Sequence, residues 1–436
     1  MATLDQLRSG HLLGETHVRL QDNLREIPPE LFTLSDSLEF LDLSHNRLTH
    51  LPENFGEFKK LKTVFFNYND FQEFPQVLSR CPQLSMVGFK GNQIHTVAPD
   101  ALSPNLRWLI LTDNQLEQLP ATIGRLDRLQ KLMLAGNRLR SLPPELAQCR
   151  SLELIRLAAN QLPALPDWLT TLPRLSWLAY SGNPGVAAHL PAQQPLPMVK
   201  RSQLTLGEQL GEGASGVIYR GQWHSPSQQG EAPKQVAVKI FKGAVTSDGL
   251  PLDEMRAAIA AGAHPNLVTP LGQLQEGGEL GLVFSFITSD YGNLGQPPSL
   301  ETCTRDTYPD QRRFTPEEIV TTALGIAAAL EQLHQRGIMH GDLYAHNILV
   351  NGAGHCFLGD FGAASFYPDP SMGPALERLE VRAFGCLLED LCDRTTMEQG
   401  RYYSELRQLQ QDCMQPQPAA RPSFQYIHRR LQALVQ

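Results

Sequence analysis

Long hydrophobic runs are missing from this sequence of 436 residues. Its most apolar stretch, 319–330, is interrupted by Thr321, Thr322 and Gly325 and is too short to span a bilayer. The first residues, 1–11, show no basic segment followed by an apolar one, so we expect no secretory signal. We therefore expect no membrane span.

Close pairs of cysteine are also missing. The seven cysteines are odd in number and include no Cys-x-x-Cys pair. Disulfide frameworks use an even number of cysteines, and structural zinc sites use closely spaced ones. We expect neither, and the pattern is typical of a protein kept in the reducing cytoplasm.

An excess of basic side chains is absent as well. The formal net charge is −8, and residues 1–190 carry 18 basic and 19 acidic side chains. Binding to a phosphate backbone needs a basic excess, so we expect no nucleic-acid partner. The length and the hydrophobic fraction of 42% instead predict two or more globular domains, each with its own core.

The first half of the sequence contains a regular repeat. Asparagines recur at intervals of 22 or 23 residues, each within a frame Leu-x-x-Leu-x-Leu-x-x-Asn-x-Leu-x-x-Leu-Pro that is clearest at 38–52. A unit with one short strand does not bury its apolar side alone, so neighbouring units must stack. We expect the asparagine side chains to pair with backbone groups at the turn that leaves each strand. The repeating residues are Asn23, Asn46, Asn69, Asn92, Asn114, Asn137, Asn160 and Asn183.

This pattern resembles the leucine-rich repeat and implies a solenoid over 1–190, followed by a Pro/Gln-rich linker at 191–203. Such solenoids commonly bind proteins on an extended concave surface. We therefore interpret the strand positions between the leucines as a docking surface for a protein substrate or regulator, with Tyr68 and Trp108 as aromatic anchors. The alternative is a solvated face of mixed charge. The positions are Glu39, Asp42, Asn67, Lys90, Arg107, Trp108, Lys131 and Arg156.

The second half contains a group of oxygen-bearing side chains. His-Gly-Asp-Leu-Tyr-Ala-His-Asn at 340–347 precedes two short β-prone runs with an Asn-Gly turn signal between them, and Asp-Phe-Gly follows at 360–362. Closing this hairpin brings Asn347 and Asp360 to the same edge, with Asp342 in the loop before it. Mg²⁺ takes one or two protein carboxylates and leaves its other positions to water and phosphate oxygens. The sequence therefore predicts a magnesium site here.

Upstream lie features of a phosphate-binding site. Gly-Glu-Gly-Ala-Ser-Gly at 211–216 stands between β-prone segments without a helix directly after it, which argues against a Rossmann fingerprint. A glycine hairpin lets backbone N–H groups close over phosphates, although the motif alone is also typical of an ordinary turn. Lys239 lies in the apolar run 236–240, either as a phosphate contact or as an edge-strand lysine. Glu254, in the helix-prone segment 252–261, is placed to pair with it.

The order of these motifs resembles the protein-kinase family over 204–436, and the whole chain is similar to bacterial leucine-rich-repeat protein kinases of the serine/threonine type. The fold that this implies is an α/β repeat solenoid followed by an α+β, bilobal protein-kinase-like catalytic domain. The implied function is transfer of the γ-phosphoryl group of ATP to a Ser or Thr hydroxyl on a protein docked by the repeats.

The resemblance also assigns roles to single residues. Asp342 would orient the attacking hydroxyl or accept its proton, and Lys239, paired with Glu254, would contact the α- and β-phosphates of ATP. Asn347 and Asp360 would hold Mg²⁺. The nucleotide would contact Leu210, Gly211, Glu212, Gly213, Gly216, Val217, Lys239 and Phe286.

Departures from the family pattern keep alternatives open. Gly341 replaces the arginine that usually reads a phosphate on the activation segment, and Tyr344 replaces the usual lysine. The short interval from Asp360 to Glu380 contains no Ala-Pro-Glu motif, so the part that positions a peptide is truncated. The alternatives are a kinase-fold enzyme acting on a non-protein hydroxyl, a nucleotide-binding pseudokinase scaffold, and a pure interaction protein.

Overall fold

The computed structural model shows two compact units, Met1–Leu175 and Ser176–Gln436. The described residues are 2–187, 196–213, 215–224, 232–243, 245–397 and 399–436. The division falls inside the last repeat of the sequence pattern, and residues 191–195 of the predicted linker lie outside the described ones. The domain limits given above stay predictions.

The first unit is built on a parallel sheet with one three-residue strand per repeat. Leu41 lies beside Val64, and Val64 lies beside Val87. Because successive side chains of a strand alternate between the two faces, the central residue of each strand enters the core. The strands are β1 (His17–Arg19), β2 (Phe40–Asp42), β3 (Thr63–Phe65), β4 (Met86–Gly88), β5 (Trp108–Ile110), β6 (Lys131–Met133) and β7 (Leu154–Arg156).

Short helical turns complete the repeats. The helix α1 (Leu4–Arg8) precedes the sheet and begins with a capping box in which Thr3 accepts from the backbone N–H of Gln6. The 3₁₀ helices between the strands are Pro29–Leu34, Glu53–Glu57, Gln76–Arg80, Ala121–Arg125, Pro144–Gln148 and Asp167–Thr171.

The asparagine side chains tie consecutive repeats together. Asn92 accepts a hydrogen bond from the N–H of Phe71 at 3.1 Å, and its amide nitrogen donates to the carbonyl oxygens of Phe66 and Phe89 at 2.9 and 3.1 Å. Each of these buried backbone groups would cost about 1–3 kcal/mol if left unpaired. The predicted backbone pairing is confirmed at Asn46, Asn69, Asn92, Asn114, Asn137 and Asn160.

The second unit combines a five-stranded antiparallel sheet with a group of helices. Its strands are β8 (Trp177–Ala179), β9 (Leu204–Glu212), β10 (Gly216–Trp223), β11 (Lys234–Phe241), β12 (Pro270–Glu276), β13 (Glu279–Ser285), β14 (Gly292–Asn293), β15 (Ile338–Met339), β16 (Ile348–Val350), β17 (Cys356–Leu358) and β18 (Ser365–Phe366). Its helices are α2 (Pro184–Ala187), α3 (Pro251–Ala261), α4 (Pro316–Gln335), α5 (Gly373–Cys392), α6 (Arg401–Cys413) and α7 (Phe424–Val435).

The sheets of this unit divide it into two lobes of different character. The main sheet has the order β12-β13-β11-β10-β9 and packs around Val236, Val238 and Val283. Two small sheets, β14-β16-β17 and β15-β18, accompany the helices. Among the described helices, none is long and apolar enough to cross a membrane.

Two short sequence patterns on either side of the loop at 340–347 form the predicted local structures. Thr315 and Glu318 form the predicted capping box at the start of α4, with hydrogen bonds of 2.7 and 3.2 Å. The strands β16 and β17 form the predicted hairpin, in which Ile348 lies beside Leu358. In its turn Asn351 Oδ1 accepts from the N–H of His355 at 3.0 Å. Both predictions are confirmed.

Candidate active site

The loop at 340–347 is anchored by one buried carboxylate. It joins β15 to β16, and the N–H groups of His340 and Gly341 donate to the carboxylate of Glu380 on α5 at 3.1 and 2.6 Å. The His340 ring is buried, and its Nε2 lies 2.9 Å from the carbonyl oxygen of Gly359. These contacts fix the loop backbone and leave His340 as a packing residue.

Glu380 stays ionised in this setting. Burial alone raises the pKa of a carboxyl group. The hydrogen bond and charge of His334, whose Nε2 lies 2.8 Å from the Glu380 carboxylate, act against burial, as do the charge of His340 and the N–H of Gly341. The pKa of Glu380 therefore lies below its ordinary value. The loop is held by a fixed negative charge.

The hairpin β16–β17 brings the predicted metal and base residues together. The Asn347 side-chain amide donates to Asp342 Oδ2 at 2.8 Å and to the Asp342 carbonyl oxygen at 3.0 Å. At the open end of the hairpin, the N–H of Gly359 donates to the carbonyl oxygen of Asn347 at 3.0 Å. Asp360 follows directly, so the three predicted residues occupy one edge.

The residues at this edge suit Mg²⁺. Asp360 offers a carboxylate and Asn347 an amide oxygen, and the remaining positions of the ion would go to water and phosphate oxygens. Because the Asn347 amide nitrogen donates to Asp342, the amide oxygen is the atom that would bind a metal ion. Asp360 adopts a left-handed backbone conformation with φ of 54°, which is uncommon for a residue other than glycine and clusters at functional sites.

The glycine hairpin between β9 and β10 approaches the neighbouring strand closely. The N–H of Gly213 donates to the carbonyl oxygen of Gly216 at 2.9 Å and closes the turn. A Cβ atom at Gly216 would lie 2.4 Å from the carbonyl oxygen of Ile240 on β11, so only glycine fits. A Cβ at Gly211 or Gly213 would meet no atom within 4 Å of the described chain.

Lys239 lies next to this contact and forms an ion pair with Glu254 of α3. Both side chains are nearly buried, at 12% and 6% exposed. Burial raises the pKa of Glu254, as does the nearby charge of Asp360, whereas Lys239 opposes both. The pair thus orients the lysine ammonium group beneath the glycine hairpin.

A cleft of about 110 Å³ unites four of the predicted residues. Its walls include Gly213, Gly216, Lys239 and Asp360. Backbone N–H groups, an ammonium group and a carboxylate that could hold a metal ion, placed around one space, are an arrangement suited to binding phosphates. Sequence reasoning did not identify Thr246 and Asp248, which also line the cleft and belong to no motif.

The other predicted nucleotide contacts are not among the residues that line this cleft. Leu210 is 45% exposed near the end of β9. Glu212 pairs with Lys242 at 2.5 Å and lies beside Val217 across the hairpin. Phe286 follows β13 and lines a different cavity, of about 430 Å³. The structure therefore does not bring Phe286 into the cleft with Lys239, and its role stays a prediction.

Asp306 is a further site residue that no sequence signal revealed. Its carboxylate accepts from the N–H of Ala345 and lies 2.7 Å from Nδ1 of His346. Burial acts to lower the pKa of His346, but the hydrogen bond and charge of Asp306, with the charges of Asp342 and Asp360, raise it above its ordinary value. Asp306 thus fixes the second half of the loop.

Comparison with known families agrees with this geometry. Residues 204–373 match the family described as protein tyrosine and serine/threonine kinase. Residues 82–139, 127–184 and 37–58 match leucine-rich repeat families. The chain therefore carries leucine-rich repeats followed by a protein kinase domain, and the predicted fold class is confirmed.

Among curated proteins, the chain is similar to growth factor receptors. It is 26% identical over 318 residues to fibroblast growth factor receptor 1 of Pleurodeles waltl, across 61% of this chain and 39% of the receptor. It is 27% identical over 199 residues to fibroblast growth factor receptor 1 of Xenopus laevis, across 43% of this chain and 24% of the receptor. The chain thus spans less than half the length of these relatives.

Replacing Glu380 by Gln should destabilise the fold in a pH-dependent way. The amide keeps the shape but loses the charge that accepts two N–H groups, so we expect a loss of about 2 kcal/mol near neutral pH. Because the folded-state pKa of Glu380 lies below the ordinary value of 4.5, its contribution is complete above that pH and is lost as pH falls through the folded value. Thermal unfolding should show the midpoints of wild type and E380Q converging in acid.

The matched control is Glu317→Gln. Glu317 is an exposed glutamate at the start of helix α4 in the same unit. Its effect should stay within about 0.5 kcal/mol. A gap between wild type and E380Q that remained constant into acid would contradict an ionised Glu380.

Proposed function

We propose that this chain is a protein kinase that transfers the γ-phosphoryl group of ATP to a Ser or Thr hydroxyl of a protein docked by its leucine-rich repeats. The observation that carries the proposal is the cleft in which the Lys239–Glu254 pair faces Asp360 beneath the glycine hairpin. Asp342 accepts a hydrogen bond from Asn347 at the open edge of the other hairpin, β16–β17, where Asp360 also lies.

The proposed reaction uses these residues mainly for positioning and charge. Lys239 and the glycine hairpin hold the phosphates of ATP, and Mg²⁺ held by Asn347 and Asp360 would supply positive charge to them. The acceptor oxygen bonds to the γ-phosphorus as the bond to the β-phosphate oxygen breaks. The hydroxyl proton passes to the Asp342 carboxylate, the general base within reach of the loop.

A protein acceptor is supported by the repeats, which would take the place of the peptide platform that the short segment after Asp360 lacks. That segment contains only β18 and a 3₁₀ turn at Pro370–Met372 before α5 begins at Gly373, so little chain remains for a peptide platform. In the first unit, Tyr68 is 42% exposed and stacks on His45 at 4.6 Å. An exposed, ordered aromatic group is typical of a binding anchor.

A second candidate function is phosphorylation of a non-protein hydroxyl, for which the same truncated segment argues. A pseudokinase scaffold fits less well, because the lysine, the base and both metal residues are all present. After Asp342 the sequence has neither the lysine of serine/threonine kinases nor the Ala-Ala-Arg pattern of tyrosine kinases, so the assignment to Ser or Thr is part of the proposal and is not read from these residues. A cytoplasmic location is supported by the odd number of cysteines in the sequence and by the lack of any Cys-x-x-Cys pair among them.

Incubation of the full chain with γ-labelled ATP and Mg²⁺ tests the proposal. Label in phosphoserine or phosphothreonine of a protein supports it, and label in phosphotyrosine would correct the acceptor. Label in a small molecule would favour the second candidate, and ATP binding without turnover would favour a scaffold.

Asp342→Ala should abolish transfer but leave ATP affinity largely intact. The change removes the proton acceptor and not the phosphate contacts, so kcat should fall by about 10²–10⁴-fold. Steady-state kinetics and nucleotide titration measure the two effects. The control Asp310→Ala, at an exposed aspartate of the same unit, should retain kcat. Equal losses for both variants would count against Asp342 as the base.

Tyr68→Ala should weaken docking of a protein substrate selectively. Loss of an aromatic anchor costs about 2 kcal/mol, which corresponds to a rise of roughly 30-fold in the KM for the protein. The KM for ATP should not change. The comparison is Tyr402→Ala, at a half-buried tyrosine of α6 in the second unit, for which the KM for the protein should stay unchanged. A uniform change in both KM values would exclude docking at Tyr68.

A further inference from the structure

A short segment before the kinase motifs contacts the catalytic loop within the second unit. Trp177 on β8 is 2% exposed, and its indole N–H donates to the carbonyl oxygen of Leu343 at 2.9 Å. Its ring stacks on Tyr344 with centroids 4.5 Å apart and planes 6° from parallel. Trp177 therefore holds the two residues that directly follow Asp342.

The same segment is bonded to two elements that flank the loop. The N–H of Tyr180 donates to Ser365 Oγ on β18 at 3.0 Å, and β18 pairs with β15, which leads into the loop. Arg382 on α5 donates to Ser176 Oγ at 2.7 Å, two positions from the anchor Glu380. Residues 176–180, here named the loop-support segment, thus touch the loop and both of its neighbours.

The loop-support segment also explains the glycine at position 341. Gly341 has φ of 74°, and a Cβ atom there would lie 2.5 Å from the carbonyl oxygen of Leu178 and 2.8 Å from that of Ala363. No side chain fits against two backbone oxygens at these distances. The place from which the arginine of the family pattern would extend is filled by the backbone of the segment.

Tyr344 is also buried against the loop-support segment. It is 5% exposed and lies between Trp177 and His346, whose ring is 5.1 Å away. At the position where the family pattern has a lysine, this chain has a buried aromatic group that joins the loop to the support segment. The packing of Tyr344 therefore fixes the position of the loop.

We infer that Trp177 is a positioning residue for phosphoryl transfer, through which the loop-support segment holds the catalytic loop in its competent geometry without a phosphate on the activation segment. The inference rests on the proposed kinase function. Its physical basis is that a misplacement of about 1 Å at a reacting group costs on the order of 100-fold in rate. A hydrogen bond and a stacked ring on consecutive residues prevent that displacement.

The test compares Trp177→Ala, Trp177→Phe and the control Trp168→Ala in the full chain. Trp168 lies in a 3₁₀ helix of the first unit and is half-buried. The readouts are kcat, the KM for ATP, and hydrogen–deuterium exchange of the amides at 340–347. Prior treatment of wild type with a phosphatase is the fourth measurement.

We expect Trp177→Ala to lower kcat by about 10- to 100-fold with the KM for ATP changed less than about twofold. Exchange at 340–347 should accelerate while the α4 and α5 amides remain protected. Trp177→Phe, which keeps the stack and loses the N–H, should fall between wild type and W177A. Trp168→Ala and phosphatase treatment should leave kcat unchanged.

The inference would be overturned if kcat and the exchange rates of Trp177→Ala equalled those of wild type. Loss of wild-type activity after phosphatase treatment would also overturn it. If W177A does not fold, Trp177→Phe is judged by the same criteria, and unchanged kcat and exchange overturn it. Absence of transfer by wild type would refute the proposed function instead, and the exchange measurement would still decide whether Trp177 holds the loop.

Discussion

A single buried carboxylate decides the geometry of the candidate site. Glu380 accepts the N–H groups of His340 and Gly341 and is itself held charged by His334. A loop backbone has few bonds of its own, so its donors must find partners elsewhere in the fold. Because α5 fixes these two N–H groups, Asp342 and the hairpin β16–β17 are held in one position relative to the rest of the unit.

The phosphate side of the cleft depends on a different kind of constraint. Lys239 and Glu254 come from a strand and a helix, and their nearly buried ion pair would be costly if either partner were lost. The close approach of Gly216 to β11 sets the height of the glycine hairpin above that pair. Charge pairing and steric fit thus define the space in which phosphates would bind, and Asp360 also lines it.

Local patterns made the repeats, the capping box of α4 and the hairpin β16–β17 predictable, because each depends on residues close in sequence. The order of the kinase motifs also predicted which side chains meet in the cleft. The contacts of Trp177 with Leu343 and Tyr344 were beyond prediction, because they join residues more than 160 positions apart with no motif at one end. Asp306 was missed because it lies 39 and 40 positions from its partners Ala345 and His346 and belongs to no motif. Phe286 lines a cavity other than the cleft with Lys239, and its assigned contact with the nucleotide stays a prediction.

The claim on which all of this depends is that the cleft binds a magnesium nucleotide through Asp360. The most direct test is calorimetric titration of ATP into full-length wild type and into Asp360→Asn, each with and without Mg²⁺. The account predicts that Mg²⁺ tightens ATP binding to wild type by on the order of tenfold or more and has little effect on D360N. Equal dependence on Mg²⁺ in both proteins, or no ATP binding by wild type, would contradict it.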